Sequence, residues 1–389
     1  MLTSLQPEPR GRWEPRFEQV VRAFSEGVPS RPGAGAALSI WHNETEVVNV
    51  WAGEADARDG KPWTEDTTTM LFSSTKGLAA LAVALLANEG RLDYDARVAD
   101  VWPEFAVQGK GAITIRDVLA HRAGLPAPER SMTVADLIDS EAFATALAEQ
   151  PPLWPNSESH LYHALTWGPL VREIVRRATG EDVAEVFRRR IAQPLQARVE
   201  LQAIDDDLRS VAHISVATEH EAMVSKTIPF LGALAVKGIT AGGALPLTLA
   251  TEAEGANDPR IQKSGLLSMT GIGTASGLAR IWSAVAAPES ERAWLSQAGL
   301  NQLVRPHSEG ASFGAPTESP GQQRWGAGVQ LASPMLPWLS AASFGHDGAG
   351  GQMGFADPAY RIGLGYVTNY MHHTNRVGPI IEALRLSIG

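Results

Sequence analysis

One stretch constrains the fold of this chain more than any other. Residues 74–89, STKGLAALAVALLANE, read as a helix that is apolar on nearly every face after Lys76. A surface helix shows an apolar stripe and a polar back, whereas one apolar all round is buried on all sides. Gly90 supplies the stop. Such a helix needs layers around it, and 389 residues suffice for a large core and more than one lobe.

The two chain ends supply strands. Gly35–Trp41 and Glu46–Gly53 flank the polar turn His42–Asn43–Glu44, after an amphipathic helix over 14–27 that aligns Phe17, Val20, Val21 and Phe24. Strand-like runs return at Trp325–Leu331, Ala341–His346 and Ile362–Thr368, and Val377–Ile388 reads as a closing amphipathic helix. Between the ends the pattern is mainly helical: Ile113–His121, then Met132–Ala197 broken at Pro151–Pro155, then Gly273–Ala287. Residues 205–262 have no clean period and are expected to form a loop-rich cover over the core, and Ser308–Gln323 reads as a polar loop. The expected class is α/β: a mostly antiparallel sheet flanked by helices. Residues 1–95 and 310–389 form one lobe from both termini, and 96–309 form an inserted, mainly helical lobe with a pocket-lining segment.

Composition removes several functions. Thirty-three basic against 43 acidic residues leave a net charge of −10, the wrong sign for a general nucleic-acid binder. The absence of cysteine excludes disulfides, thiol nucleophiles and thiolate metal sites. No H-E-x-x-H, P-loop or dinucleotide fingerprint occurs, so no metal and no cofactor are expected. The N-terminal MLTSLQPEPRGRWEPRFEQ lacks the apolar run of a signal peptide. No run of about 18 apolar residues exists to cross a membrane. A cytoplasmic location is the expectation.

Ser73 and Lys76 stand one turn apart at the head of the buried helix. Burial and the helix N-terminus both disfavour an ammonium there, and a neutral amine can activate a nearby hydroxyl. S-x-x-K alone is weak, expected about 0.4 times by chance in a chain of this composition, and a capping serine beside a snorkelling lysine is the alternative. Context strengthens it: of the six lysines only Lys76 completes the pattern. Ser312, in Gly310–Ala311–Ser312–Phe313–Gly314, matches the nucleophile elbow G-x-S-x-G, but it lies in a Gly/Ser/Pro loop with Pro316 and Pro320 following, where no helix is expected. Tyr162 falls where a Pro-marked loop meets a helix. A phenol beside a cationic lysine would titrate lower and could shuttle a proton. Phe344-Gly-His-Asp-Gly-Ala-Gly-Gly351 reads as a strand ending in glycines, able to offer backbone donors to an oxyanion. Trp154, Trp167 and Trp325 flank these motifs and could wall an acyl pocket.

In order, Ser73-Ser-Thr-Lys76, Leu119-Ala-His-Arg-Ala-Gly-Leu-Pro126, Tyr162-His-Ala-Leu-Thr, Trp325-Gly-Ala-Gly and Gly345-His-Asp-Gly-Ala-Gly-Gly resemble the serine β-lactamase/penicillin-binding-protein superfamily. Within it, the likeness is greatest to the class C β-lactamase-like esterases, the family VIII carboxylesterases. The resemblance implies Ser73 as acylated nucleophile and Lys76 with Tyr162 as general-base pair. It further implies oxyanion donors on Ser73 and Ala349, and His346–Asp347–Gly348 where lactamases carry Lys-Thr-Gly.

Two departures shape the expected substrate. The lactamase Tyr-x-Asn reads Tyr162-His163-Ala164, and the drug-binding lysine is replaced by His346; the lone Lys-Thr, Lys226–Thr227, is followed by Ile228. Both favour neutral, short-to-medium-chain carboxylic esters as the small-molecule partner, with His346, Gly348 and Ala349 around the substrate. A lactamase, D,D-peptidase or other amide hydrolase, an acyltransferase on the same triad, and a non-catalytic binding protein are the alternatives.

Overall fold

The computed structural model describes residues 7–290, 293–315, 323–372 and 374–388. Most of the polar loop's second half, with Pro316 and Pro320, lies outside them.

A nine-stranded sheet is built from both chain ends. Its strands are β1 (Arg10–Trp13), β2 (Gly35–His42), β3 (Thr45–Asp56), β4 (Lys61–Pro62), β5 (Arg324–Trp325), β6 (Gln330–Leu331), β7 (Phe344–Gly348), β8 (Gln352–Asp357) and β9 (Ile362–Thr368). They run β1–β3–β2–β9–β8–β7–β6–β5, with β4 paired to β3, and every ladder is antiparallel. Asn43 and Glu44, both left-handed at φ 49° and 61°, make the tight turn between β2 and β3 that matches strand twist. The expected α/β architecture is therefore the observed one.

Alternation along β9 shows how the sheet is covered. Ile362, Leu364 and Tyr366 enter a core with Phe17, Val20, Val21 and Phe24, on the side of helices α1 (Glu18–Gly27) and α6 (Val377–Ile388). Gly363 and Gly365 face the other way, against α5 (Ala275–Ala286). A methyl group on Gly363 would lie 2.2 Å from the Ser283 nitrogen and 2.3 Å from the Ala279 oxygen. Only glycine lets α5 approach the sheet backbone this closely. α5 comes from the central segment, so that segment contributes to the sheet layer as well as to the helical one.

Helix α2 (Ser74–Asn88) is buried from Ser74 to Leu86, as its all-round apolarity dictates. It shares a core with α3 (Ser140–Glu149), α4 (Trp167–Thr179) and Phe344 of β7. Gly77 sets its seat on the sheet, since a methyl group there would come within 2.9 Å of the His346 Cβ.

Three elements differ from the sequence reading. The run Trp325–Leu331 is not one strand but the two short strands β5 and β6, paired antiparallel to each other across a turn. The supposed loop-rich segment contains a 23-residue helix, Thr218–Thr240, broken at Gly232 (φ 69°). Its small apolar residues and central glycine conceal the helical period. The strand Gln352–Asp357 was also absent from the reading, its alternation obscured by flanking glycines. Among the described residues, no helix is long and apolar enough to cross a membrane.

Candidate active site

Ser73 occupies the N-cap position of α2 but makes no capping bond with its side chain. Its hydroxyl is thus available for other partners. The preceding Phe72 is buried and left-handed (φ 45°), a conformation costly for a bulky residue; its carbonyl accepts from Thr75 N–H at 3.0 Å.

One turn on, the fully buried Lys76 extends its Nζ to 3.3 Å from Ser73 Oγ and donates to the Ser268 carbonyl at 2.8 Å. Burial holds the amine well below the usual lysine range, against a weaker pull from Asp347. Ser268 is itself fixed: its hydroxyl donates to Leu165 O and accepts from Gly168 N, both at 2.7 Å. Gly168 is required there, because a methyl group would fall 2.6 Å from Ser268 N.

Tyr162 sits on irregular chain ahead of α4. Its ring lies 5.0 Å from Lys76 Nζ and stacks on Trp325, with centroids 5.4 Å apart and planes 15° from parallel. The nearby Ser73 side chain favours the phenolate, yet burial outweighs it and pushes the phenol's pKa up. The expected lowering does not occur, because burial of the phenol itself penalises the phenolate.

His346, on β7, is also fully buried, with its ring centroid 6.3 Å from that of Tyr162. Nδ1–H donates to the Asp347 carbonyl at 2.6 Å, and Nε2 has no hydrogen-bond partner among the described residues. Burial first, then Lys76, lowers its pKa to about 3, so the ring is neutral. The Ser74 hydroxyl donates to the His346 carbonyl at 3.0 Å, tying the head of α2 to β7. Gln330 holds Asp347 at both ends, donating to Oδ1 at 2.9 Å and accepting from its backbone N–H at 2.8 Å. The strand then runs through Gly348 into the turn Ala349–Gly351. A methyl group on Gly348 would lie 2.5 Å from Leu71 O, so this turn abuts the residues leading into Ser73.

Ser73, Lys76, Tyr162 and His346 therefore converge from a helix, a loop and a strand, with Gly348 and Ala349 at the strand end. Ser312 lies in a turn with no helix up to Ala315, beyond which the chain is not described. Of the tryptophans, Trp325 faces the site through Tyr162. Trp154 packs on Phe313 at 4.9 Å. Trp167 is a core residue, wholly buried and donating to Leu119 O at 3.1 Å.

Ser268, Gln330 and His121 belong to this arrangement without having been singled out. Ser268 and Gln330 act by backbone carbonyl and side-chain amide contacts that no motif reports. His121 lies inside a quoted motif, which was its only signal.

Residues 17–386 match the Beta-lactamase family. The chain belongs to it. This beta-lactamase-family protein has a TM-score of 0.84 to a family VIII carboxylesterase crystal structure, at 29% identity, covering 98% of this chain and 100% of that one. A penicillin-binding-protein homolog from Caulobacter crescentus is equally similar (TM-score 0.84, 30% identity, 98% and 100% covered). The "Esterase/beta-lactamase LipL" of Mycobacterium tuberculosis is 42% identical over 185 residues, which are 48% of this chain and 43% of LipL. The matched stretch thus spans less than half of that curated relative.

Proposed function

We propose that this beta-lactamase-family chain is a serine hydrolase, a carboxylesterase that acts through an acyl-enzyme on Ser73. The observation that carries the reading is the buried Lys76 amine, 3.3 Å from Ser73 Oγ with one N–H already engaged by Ser268. A neutral amine has a single lone pair, and this arrangement leaves it for the serine hydroxyl.

Ser73 Oγ attacks the ester carbonyl as its proton passes to Lys76. The oxyanion is met by the backbone N–H groups of Ser73 and Ala349. The tetrahedral adduct collapses as the Lys76 proton reaches the departing alcohol through the Tyr162 hydroxyl, which stays a neutral phenol and relays the proton instead of acting as phenolate. Water then attacks the acyl-enzyme, losing its proton to the same pair, and the carboxylic acid leaves as Ser73 is reprotonated. A positioned base contributes about 10²–10⁴-fold, and each oxyanion donor about 10²–10³-fold.

Esters are favoured over lactam drugs by electrostatics. His346 titrates near 3 and offers no cation to a substrate carboxylate, and Ala164 offers no amide. A charge-assisted contact is worth about 1.5–3 kcal/mol and a neutral one about 0.5–1.5. Together they correspond to roughly one and a half to three powers of ten in kcat/KM. The test compares kcat/KM for p-nitrophenyl butyrate and nitrocefin on one preparation. The ester should be turned over far faster; nitrocefin turnover at an equal or higher rate overturns the esterase reading in favour of a lactamase.

A further inference from the structure

The groups that converge on Ser73 are not anchored alike. Ser73 and Lys76 ride on α2 and His346 on β7, where repetitive hydrogen bonds fix the backbone. Tyr162 rides on irregular chain. Its phenol has to be held by non-repetitive contacts, and these converge on one residue outside the proposed triad.

That residue is His121. The amides on both sides of Tyr162 bond to it: Leu161 N–H donates to the His121 carbonyl at 3.1 Å, and His163 N–H donates to His121 Nδ1 at 3.1 Å. Its imidazole is fully buried, 4.9 Å from the Tyr162 ring centroid and 4.2 Å, nearly edge-on, from that of Trp325. The Tyr162 ring is thus bracketed by Trp325 on one side and His121 on another. The backbone of His121 is left-handed (φ 64°), a conformation that is uncommon outside glycine and enriched in histidine and asparagine. This geometry lets one residue present its carbonyl and its ring nitrogen to the same strand of chain. Accepting at Nδ1 requires the neutral ring with its proton on Nε2, and that N–H has no hydrogen-bond partner among the described residues. A buried polar group left unsatisfied is destabilising, so stability alone is a poor account of this histidine. His163 completes the strap: its Nε2 accepts from Leu125 N–H at 2.9 Å and its Nδ1–H donates to Leu161 O at 2.6 Å.

We propose that His121 is a positioning residue for the acyl-transfer reaction, clamping the loop on both sides of Tyr162 so that the phenol stays on Ser73 through both half-reactions. It touches neither substrate nor nucleophile and acts through Tyr162. The inference rests on the function proposed above.

The test is a set of variants assayed on p-nitrophenyl butyrate, with near-UV circular dichroism to establish folding. His121→Phe keeps a ring and removes the acceptor. It should lower kcat about 10–100-fold and leave KM within about threefold, as for a misplaced catalytic group. His121→Asn tolerates the left-handed backbone and places an oxygen near the Nδ1 position, so it should recover to within about fivefold of the parent. In a Tyr162→Phe background, His121→Phe should change kcat by less than about twofold, because residues acting as one unit are non-additive. Where the Phe variant does not fold, His121→Gly, which relaxes the backbone and also lacks the acceptor, takes its place. A folded acceptor-less variant with parental kcat overturns the proposal. So does an asparagine variant as impaired as the phenylalanine one, or a multiplicative loss in the double mutant. Full activity of Tyr162→Phe alone is a separate outcome: it removes the role given to Tyr162, whatever His121 does.

Discussion

Lys76 donates to the Ser268 carbonyl at 2.8 Å, and this contact orients the amine. It occupies one N–H and holds Nζ 3.3 Å from Ser73 Oγ. Among the described residues no carboxylate is bonded to Nζ, and desolvation dominates its titration. Charge at this position should therefore matter more than chain length. Lys76→Arg, which cannot give up its proton, is expected to be as inactive as Lys76→Ala, each losing about 10²–10⁴-fold in kcat. An arginine variant within tenfold of the parent would show that a cation, not a base, is needed.

The same depressed pKa sets the pH profile of acylation. Lys76 is the active base when deprotonated, so the rate rises with pH through its folded pKa and is flat above it. Because that pKa lies well below the ordinary 10.5, the rate of Ser73 phosphonylation by a fluorophosphonate should reach its plateau well short of pH 10.5. A rate still climbing through pH 10 would contradict the account.

Buried neutral histidines make acid stability a second readout. His163 is lowered to about 4 and His346 to about 3, both by desolvation first. Each folded-state pKa lies below the unfolded value near 6.5. Stability from these groups is therefore fully present above pH 6.5. It is lost as pH falls from there toward 3–4, since only the unfolded chain takes up the protons. The slope is about 1.4 kcal/mol per pH unit for each such group. Urea midpoints should fall between pH 6.5 and 5, above the range where most carboxylates titrate, and a folded His346→Asn variant should show a shallower fall. An unchanged slope would mean that His346 is already protonated in the native state.

The sheet itself offers a stability test independent of catalysis. A methyl group on Gly365 would stand 2.4 Å from the Ala275 oxygen, and one on Gly363 even closer to α5. The obstructing atoms are backbone and cannot turn aside. Gly363→Ala or Gly365→Ala should each destabilise by about 1–3 kcal/mol or more, read as a lower urea midpoint. Gly60, with nothing within 4 Å of an added methyl group, has room for a side chain, but its φ of 67° makes Gly60→Asn the appropriate exposed control.

What the sequence made legible follows from how locally each feature is encoded. Helix α2 could be read because every position from Leu78 to Leu86 agrees on burial. The turn at Asn43–Glu44 and the strands β2, β3 and β9 could be read because their polarity switches are short-range. Thr218–Thr240 could not: alanines, glycines and a break at Gly232 erase the period that marks a helix. The convergence of Ser73, Lys76 and Tyr162 was foreseeable from motif order, but the electrostatics were not. The rise in the Tyr162 pKa comes first from burial of the phenol, a property of the packed environment. Trp167 shows a related limit: neighbouring a motif in sequence says nothing about which way an indole faces, and this one lies in the core. The clamp by His121 joins residues 40 positions apart through backbone amides, and amides carry no residue-type signal.

The most direct test of the central claim is the site of covalent modification. The protein is incubated with a p-nitrophenyl alkylphosphonate, digested, and the adduct located by tandem mass spectrometry, with p-nitrophenol release measured in parallel. The account predicts one phosphonyl group per chain, on Ser73, with loss of esterase activity in step with labelling and no labelling of a Ser73→Ala variant. Stoichiometric labelling of Ser312, with Ser73 unmodified and the Ser73→Ala variant still active, would contradict it.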